Sequence, residues 1–194
     1  MKKITYKIAV LQAFEQIRVL PLANRRKMQE HLMVDGNNAL HAIPELANEL
    51  SRDRNQARES LLRLLEPLQS GENIMLTVVF DGRGGRSSID KHRNIEDFTV
   101  IYSSSVQGAD GVIERMLMAA KSPERIVVVT NDGLIRNCAY ESGASAMRVE
   151  ELIKRLDRTI DQTAQRIRNR STRKGDTQSK FENKIQIPEP KPEK

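Results

Sequence analysis

Tryptophan is absent from this chain, cysteine occurs once, and only three Tyr and four Phe are present among 194 residues. A lone Cys138 cannot close an internal disulfide, which fits a reducing compartment and leaves the fold to packing alone. Cys138 falls in a predicted helix and reads as a passive buried thiol, because a reactive one needs an electropositive setting to lower its pKa. With so few aromatics, base stacking is not expected to dominate any contact with a single strand, and Tyr102 reads as a core residue at a strand end. No run of about 18 apolar residues occurs, so nothing is expected to span a membrane. The first 27 residues are basic, but Gln12, Glu15 and Gln16 break their apolar run and no small-residue cleavage site follows, which argues against a secretory signal. The expected location is the cytoplasm.

Charge is plentiful and unevenly spread. There are 32 Lys and Arg against 26 Asp and Glu, a formal net charge of +6. Between positions 154 and 174 eight Lys or Arg face only Asp157 and Asp161, a surplus of six that equals the whole net charge.

The length fits one domain with appendages. Five short runs read as strands: His31–Asp35, 74–80, Phe98–Tyr102, 125–130 and 145–149. The runs 74–80 and 125–130 are almost continuously apolar and β-branched, the pattern of strands buried on both faces of a parallel sheet. Helical periodicity lies between them: 44–50 with Pro44 in its first turn, 53–68 ended by Ser70-Gly71, 109–121, and 134–142 ended by Gly143. A long helix from 150 to about 170 closes the pattern. Alternating strands and helices predict an α/β sandwich of three layers around a mainly parallel five-stranded sheet. The stretch 82–97 has no period and reads as a long loop, of the kind that is either functional or disordered. Residues 1–29 read as an N-terminal extension, with Met28 or Met33 as alternative starts. Residues 30–156 form the expected domain, and 157–194 a basic helix end followed from Ser171 by a disordered tail.

Four carboxylates stand where such a sheet gathers its ligands, at the carboxyl ends of its strands. Asp35 ends the first strand, Asp81 follows the second, Asp132 follows the fourth, and Asp110 begins the helix after the third. Any one could be a cap or turn residue. Together in one crevice they would repel and raise one another's pKa, a conflict that a hard divalent cation resolves. Oxygen donors without Cys or paired His select Mg²⁺ or Mn²⁺. Glu114, four residues after Asp110, shares its helix face and could join them or simply face solvent. Arg83, Arg86, Lys91 and Arg93 in the loop, and Arg166, Arg168 and Arg170 in the last helix, could form a basic rim that binds phosphates; a solvated charged face is the plainer alternative.

The segments Val34-Asp35-Gly36-Asn37-Asn38, Val79-Phe80-Asp81-Gly82, Tyr102 to Glu114, Val129-Thr130-Asn131-Asp132 and Gly143-Ala144 before Glu150-Glu151-Leu152 resemble, in order and spacing, the YacP group of NYN domains, relatives of the PIN nucleases. The resemblance covers about residues 30–156. It implies a PIN-like fold with strand order 3-2-1-4-5 and a metal-dependent endoribonuclease acting on RNA, with mRNA at the ribosome as its expected setting. It also implies that Asp35, Asp81, Asp110 and Asp132 are the acidic residues of the site and Asn38 its amide. Asn37 stands where an aromatic residue is common in the family, Asn131 where Ser is frequent, and the approach to Asp110 departs from the usual Thr-Ala-Asp. A rival reading is a non-catalytic RNA- or ribosome-binding module. A phosphatase lacks the second Asp that its chemistry needs after Asp81, and a dinucleotide oxidoreductase would need Gly82-Arg83-Gly84-Gly85 to open a helix.

Overall fold

In the computed structural model, residues 29–72 and 74–175 are described, with side chains through 169. Nearly all of the expected N-terminal extension, and the tail from 176 onward, lie outside the described residues. Among the described residues, no helix is long and apolar enough to cross a membrane.

The elements run β1 (His31–Asp35), α1 (Gly36–Ala42), α2 (Pro44–Leu50), α3 (Arg54–Glu72), β2 (Met75–Phe80), β3 (Ser88–Lys91), β4 (Phe98–Tyr102), α4 (Gly108–Ala119), β5 (Ile126–Val129), α5 (Gly133–Glu141), β6 (Ser145–Met147) and α6 (Val149–Gly175). They form one sheet of order β3-β4-β2-β1-β5-β6. All neighbours are parallel except β3, which runs antiparallel to β4. Without β3 the order is the expected 3-2-1-4-5.

The apolar strands serve two cores because successive side chains alternate between faces. Leu32, Val34, Leu76, Val78, Phe80 and Val100 pack with residues of α1, α2, α3 and α6. Met33, Val79, Ile101 and Val128 pack with α4 and α5 on the other side. Continuous apolar runs are what a sheet covered on both faces requires, and the three layers follow.

Four sequence expectations are corrected. The stretch 82–97 is not loop throughout: β3 pairs Ser88 with Tyr102 and Lys91 with Thr99. All four β3 residues are exposed, so no hydrophobic alternation marked the strand. Next, α1 starts at Gly36 with no gap after β1, capped by Asp35, whose carboxylate accepts from the Asn38 amide. Gly36 is demanded by packing, since a Cβ there would stand 2.4 Å from the Phe80 ring. Ser70-Gly71 does not end α3, which continues to Glu72. Gly71 lies in close contact with the last helix, where a Cβ would meet Thr159 Cγ2 at 2.6 Å. Finally, the expected boundary at 156/157 and the expected tail from Ser171 both fall inside α6. Thr159 is buried against α3, so the packed unit extends past residue 156.

Candidate active site at the carboxyl edge of the sheet

Register brings the acidic residues together. Asp35 is level with Val79, which places Asp81 two residues further along the same edge. Val34 is level with Val129, so Asp132 stands at a matching height on the other side of β1. Asp110 enters from the first turn of α4.

Asp35 is 5% exposed, the most enclosed of the four. One of its oxygens accepts from the Asn38 backbone N–H at 3.1 Å and the other from the Thr130 hydroxyl at 3.0 Å. Burial raises its pKa, and the charges of Asp110 and Asp81 push it further, against the pull of those two hydrogen bonds. Asp110 is raised as well, first by burial and then by repulsion from Asp132, Asp81 and Glu114. The four carboxylates therefore feel one another, and Glu114 joins them electrostatically from an exposed position on α4.

The surrounding polar groups orient these carboxylates. Thr130, fully buried, donates to Asp35 and accepts from the Asp132 backbone N–H at 3.1 Å. Asp132 caps α5 by accepting from the N–H groups of Leu134 and Ile135. Asp81 accepts from the Ala109 N–H at 2.7 Å and from the Asn37 side-chain amide. Asn38 turns its oxygen to the Asn131 N–H at 2.8 Å, tying the end of β1 to the end of β5. Asn131 in turn accepts from the Val149 N–H and donates to Glu150, fastening that edge to α6. Two of the three departures from the family pattern, Asn37 and Asn131, are thus built into the frame of the site. Ser103, fully buried, accepts from the Gly82 N–H at 3.3 Å and so ties the end of β4 to the end of β2, while Ser104 closes a local turn by accepting from the Gln107 N–H.

The donor chemistry suits a hard cation, with oxygen ligands whose mutual repulsion a positive charge would relieve. Among the described residues, no three His, Cys, Asp or Glu side chains are drawn together tightly enough to be a ready-made metal cage. The carboxylates are spread along the edge rather than closed on one point. Cys138 is half-buried, and burial raises its pKa, followed by the charge of Glu114, which keeps the thiol protonated.

The expected basic rim divides. Arg83 and Arg86 lie beside the site, lining a pocket of about 650 Å³ with Arg52, Arg54, Arg58 and Tyr102. Lys91 and Arg93 are carried away from the edge by β3. Lys91 is held by the Glu96 carbonyl and the Thr99 hydroxyl, and Arg93 pairs with Glu59 and Glu66. The last helix leaves the site as well. It begins beside Asn131, and by Arg155 it has reached Glu30, the residue just before β1, at the opposite edge of the sheet. At a rise of about 1.5 Å per residue, Arg166 and Arg168 lie roughly 16–20 Å farther along it. The side chain of Arg170 lies outside the described residues.

Arg52, Arg54 and Arg58 were missed as site residues because they sit in an ordinary amphipathic helix and the turn before it. Arg58 donates to the Asp81 carbonyl at 2.6 Å and lies over the Phe80 and Tyr102 rings, 5.2 and 5.3 Å from their centroids. Burial lowers its pKa, and the charges of Arg54 and Arg83 act in the same direction.

A mainly parallel sheet with acidic residues along its carboxyl edge defines a PIN-like α/β domain. The chain belongs to the YacP-like NYN domain family, matching it over residues 32–187. The match runs beyond residue 156 and takes in α6. The chain is 26% identical over 136 residues to the uncharacterized protein YacP of Bacillus subtilis strain 168, spanning 70% of this chain and 79% of that one. A crystal structure of a tryptophan-to-leucine mutant of Rae1 (YacP) from Bacillus subtilis matches with a TM-score of 0.62 at 23% identity, covering 74% of this chain and 85% of that one. A second crystal structure of Rae1 (YacP) from the same organism gives 0.61 at 25% identity, covering 76% and 84%.

Proposed function

We propose that this protein is an endoribonuclease that cleaves RNA phosphodiester bonds with the help of Mg²⁺ or Mn²⁺ at its acidic edge. The observation that carries the reading is the gathering of Asp35, Asp81, Asp110 and Asp132 at the ends of β1, β2 and β5 and the start of α4. Asp35, Asp110 and Asp132 would hold the cation, and Asp81, braced by Asn37 and Ala109, would bind it through water or orient its neighbours. When bound, the cation lowers the pKa of an attacking water and offsets charge building on the scissile phosphate. The Thr130 hydroxyl and the Asn38 N–H keep both Asp35 oxygens aimed. Arg83 and Arg86 draw the negative backbone towards an edge that would otherwise repel it. The proposed substrate is single-stranded RNA, with mRNA on the ribosome as its setting.

One observation favours a second reading, a non-catalytic RNA-binding module: the carboxylates are not closed into a cage among the described residues. Incubating RNA, free and on ribosomes, with wild type and Asp35→Asn, with Mn²⁺ or with EDTA, separates the two. The nuclease reading expects Mn²⁺-dependent cleavage that falls by more than about 100-fold in the variant, since losing a residue that merely orients a ligand already costs about 10–100-fold. Cleavage that survives chelation, or that the variant carries out equally well, refutes this mechanism. RNA binding without cleavage supports the binding module.

A further inference from the structure

The pocket beside the carboxylates is cationic to an unusual degree. Arg52, Arg54, Arg83 and Arg86 stand exposed around it, with Arg58 forming its floor. The acid among them, Asp53, caps α3, accepting from the N–H groups of Asn55 at 2.8 Å and Gln56 at 3.2 Å. Arg58 is fixed by the Asp81 carbonyl and by Phe80 and Tyr102, and its Nε is buried without a hydrogen-bond partner. Five guanidiniums converging on a concavity of about 650 Å³ repel one another until an anion enters. The planar forked donors of Arg suit the paired oxygens of a phosphate.

The pocket and the acidic edge share one wall. Arg58 grips the main-chain oxygen of Asp81, and Gly82 lines the pocket directly after it. A strand leaving the carboxylates in this direction enters the pocket at once.

We propose that this arginine pocket is a phosphate-binding subsite, which seats one phosphate of the RNA strand while a neighbouring phosphodiester lies at the carboxylates. The proposal rests on the reading of the chain as RNA-binding. The seated phosphate comes either from the 5′ end of the strand or from its interior; the chemistry of recognition is the same.

Binding is measured by fluorescence anisotropy on the full chain carrying Asp35→Asn, without divalent cations. The probes are short single-stranded RNAs ending in a 5′-phosphate or a 5′-hydroxyl. Adding Arg54→Gln and Arg83→Gln is expected to weaken binding about tenfold or more and to flatten the log–log salt dependence by about 1.4, or 0.7 per lost contact on a single strand. Lys121→Gln, just past the far end of α4, should change neither, and thermal melts confirm that each variant is folded. If the 5′-phosphate probe binds more tightly and the arginine changes erase the difference, the pocket holds a terminal phosphate. Equal binding of the two probes, with the same arginine dependence, assigns an internal one. RNA binding that ignores the arginine changes overturns the subsite and leaves the nuclease reading intact. Failure of the parent to bind RNA overturns the subsite, while arginine-dependent binding by a wild type that cuts no RNA with Mn²⁺ overturns the nuclease reading alone.

Discussion

Thr130 couples the carboxylates through one hydroxyl, donating to Asp35 and accepting from the backbone of Asp132. Thr130→Val keeps the side chain's shape and removes both bonds. Metal-dependent cleavage is expected to fall by about 10–100-fold, the usual cost of removing a group that orients a ligand. Stability should drop by about 1–3 kcal/mol, because two buried polar groups lose a partner. A Mn²⁺ titration of activity beside a urea melt measures both. Gly36 tests packing at the same place. A Cβ 2.4 Å from the Phe80 ring and 2.9 Å from the Val79 carbonyl forces one of them to move. Gly36→Ala should therefore cost about 1–3 kcal/mol by overpacking, although alanine is the better helix former; an unchanged urea midpoint would contradict this.

Among the elements, α3 and α6 are fastened by Glu72. Its carboxylate accepts from Arg155 Nε at 2.9 Å and from the Thr159 hydroxyl, and Arg155 also reaches Glu30 at 2.7 Å. Burial alone would raise the pKa of Glu72, but the hydrogen bonds of Arg155 and Thr159, with the Arg155 and Arg158 charges, hold it below its usual 4.5. A lowered folded pKa means that the unfolded chain takes up the proton first. The contribution of Glu72 to stability is thus complete above about pH 4.5 and is lost as pH falls through the folded value. Glu72→Gln should lower stability at pH 7 by about 1.5–3 kcal/mol, the worth of a hydrogen bond to a charged group. Melts at pH 7 and below 4.5 should show the gap between wild type and variant closing with acid. This fastening also shows why residue 156 could not be read as a boundary. The apolar face of α6 thins after Leu156, but its packing on α3 continues through the polar Thr159, which no hydrophobic pattern registers.

For the molecule as a whole, charge excess and charge placement separate. The last helix carries the surplus that makes the chain basic, yet it runs from the acidic edge to the opposite edge of the sheet and beyond. Arg83→Gln with Arg86→Gln should reduce RNA cleavage about tenfold or more at moderate salt, since two phosphate contacts are lost. Arg166→Gln with Arg168→Gln should leave cleavage of free RNA within about twofold; a larger loss would show that the last helix touches the substrate. The sequence by itself determined the layered α/β plan, the five parallel strands and the positions of Asp35, Asp81, Asp110 and Asp132. Strands buried on both faces and carboxylates at their ends leave local signals. Tertiary structure decided the remainder. β3 is held by backbone pairing with no buried side chain, and Gly36 and Gly71 answer to neighbours distant in the chain. The arginine pocket joins residues 52–58 to 83–86 only because α3 leads into β2, which lies beside β1. Such neighbours follow from the crossover and strand register, which no local periodicity encodes.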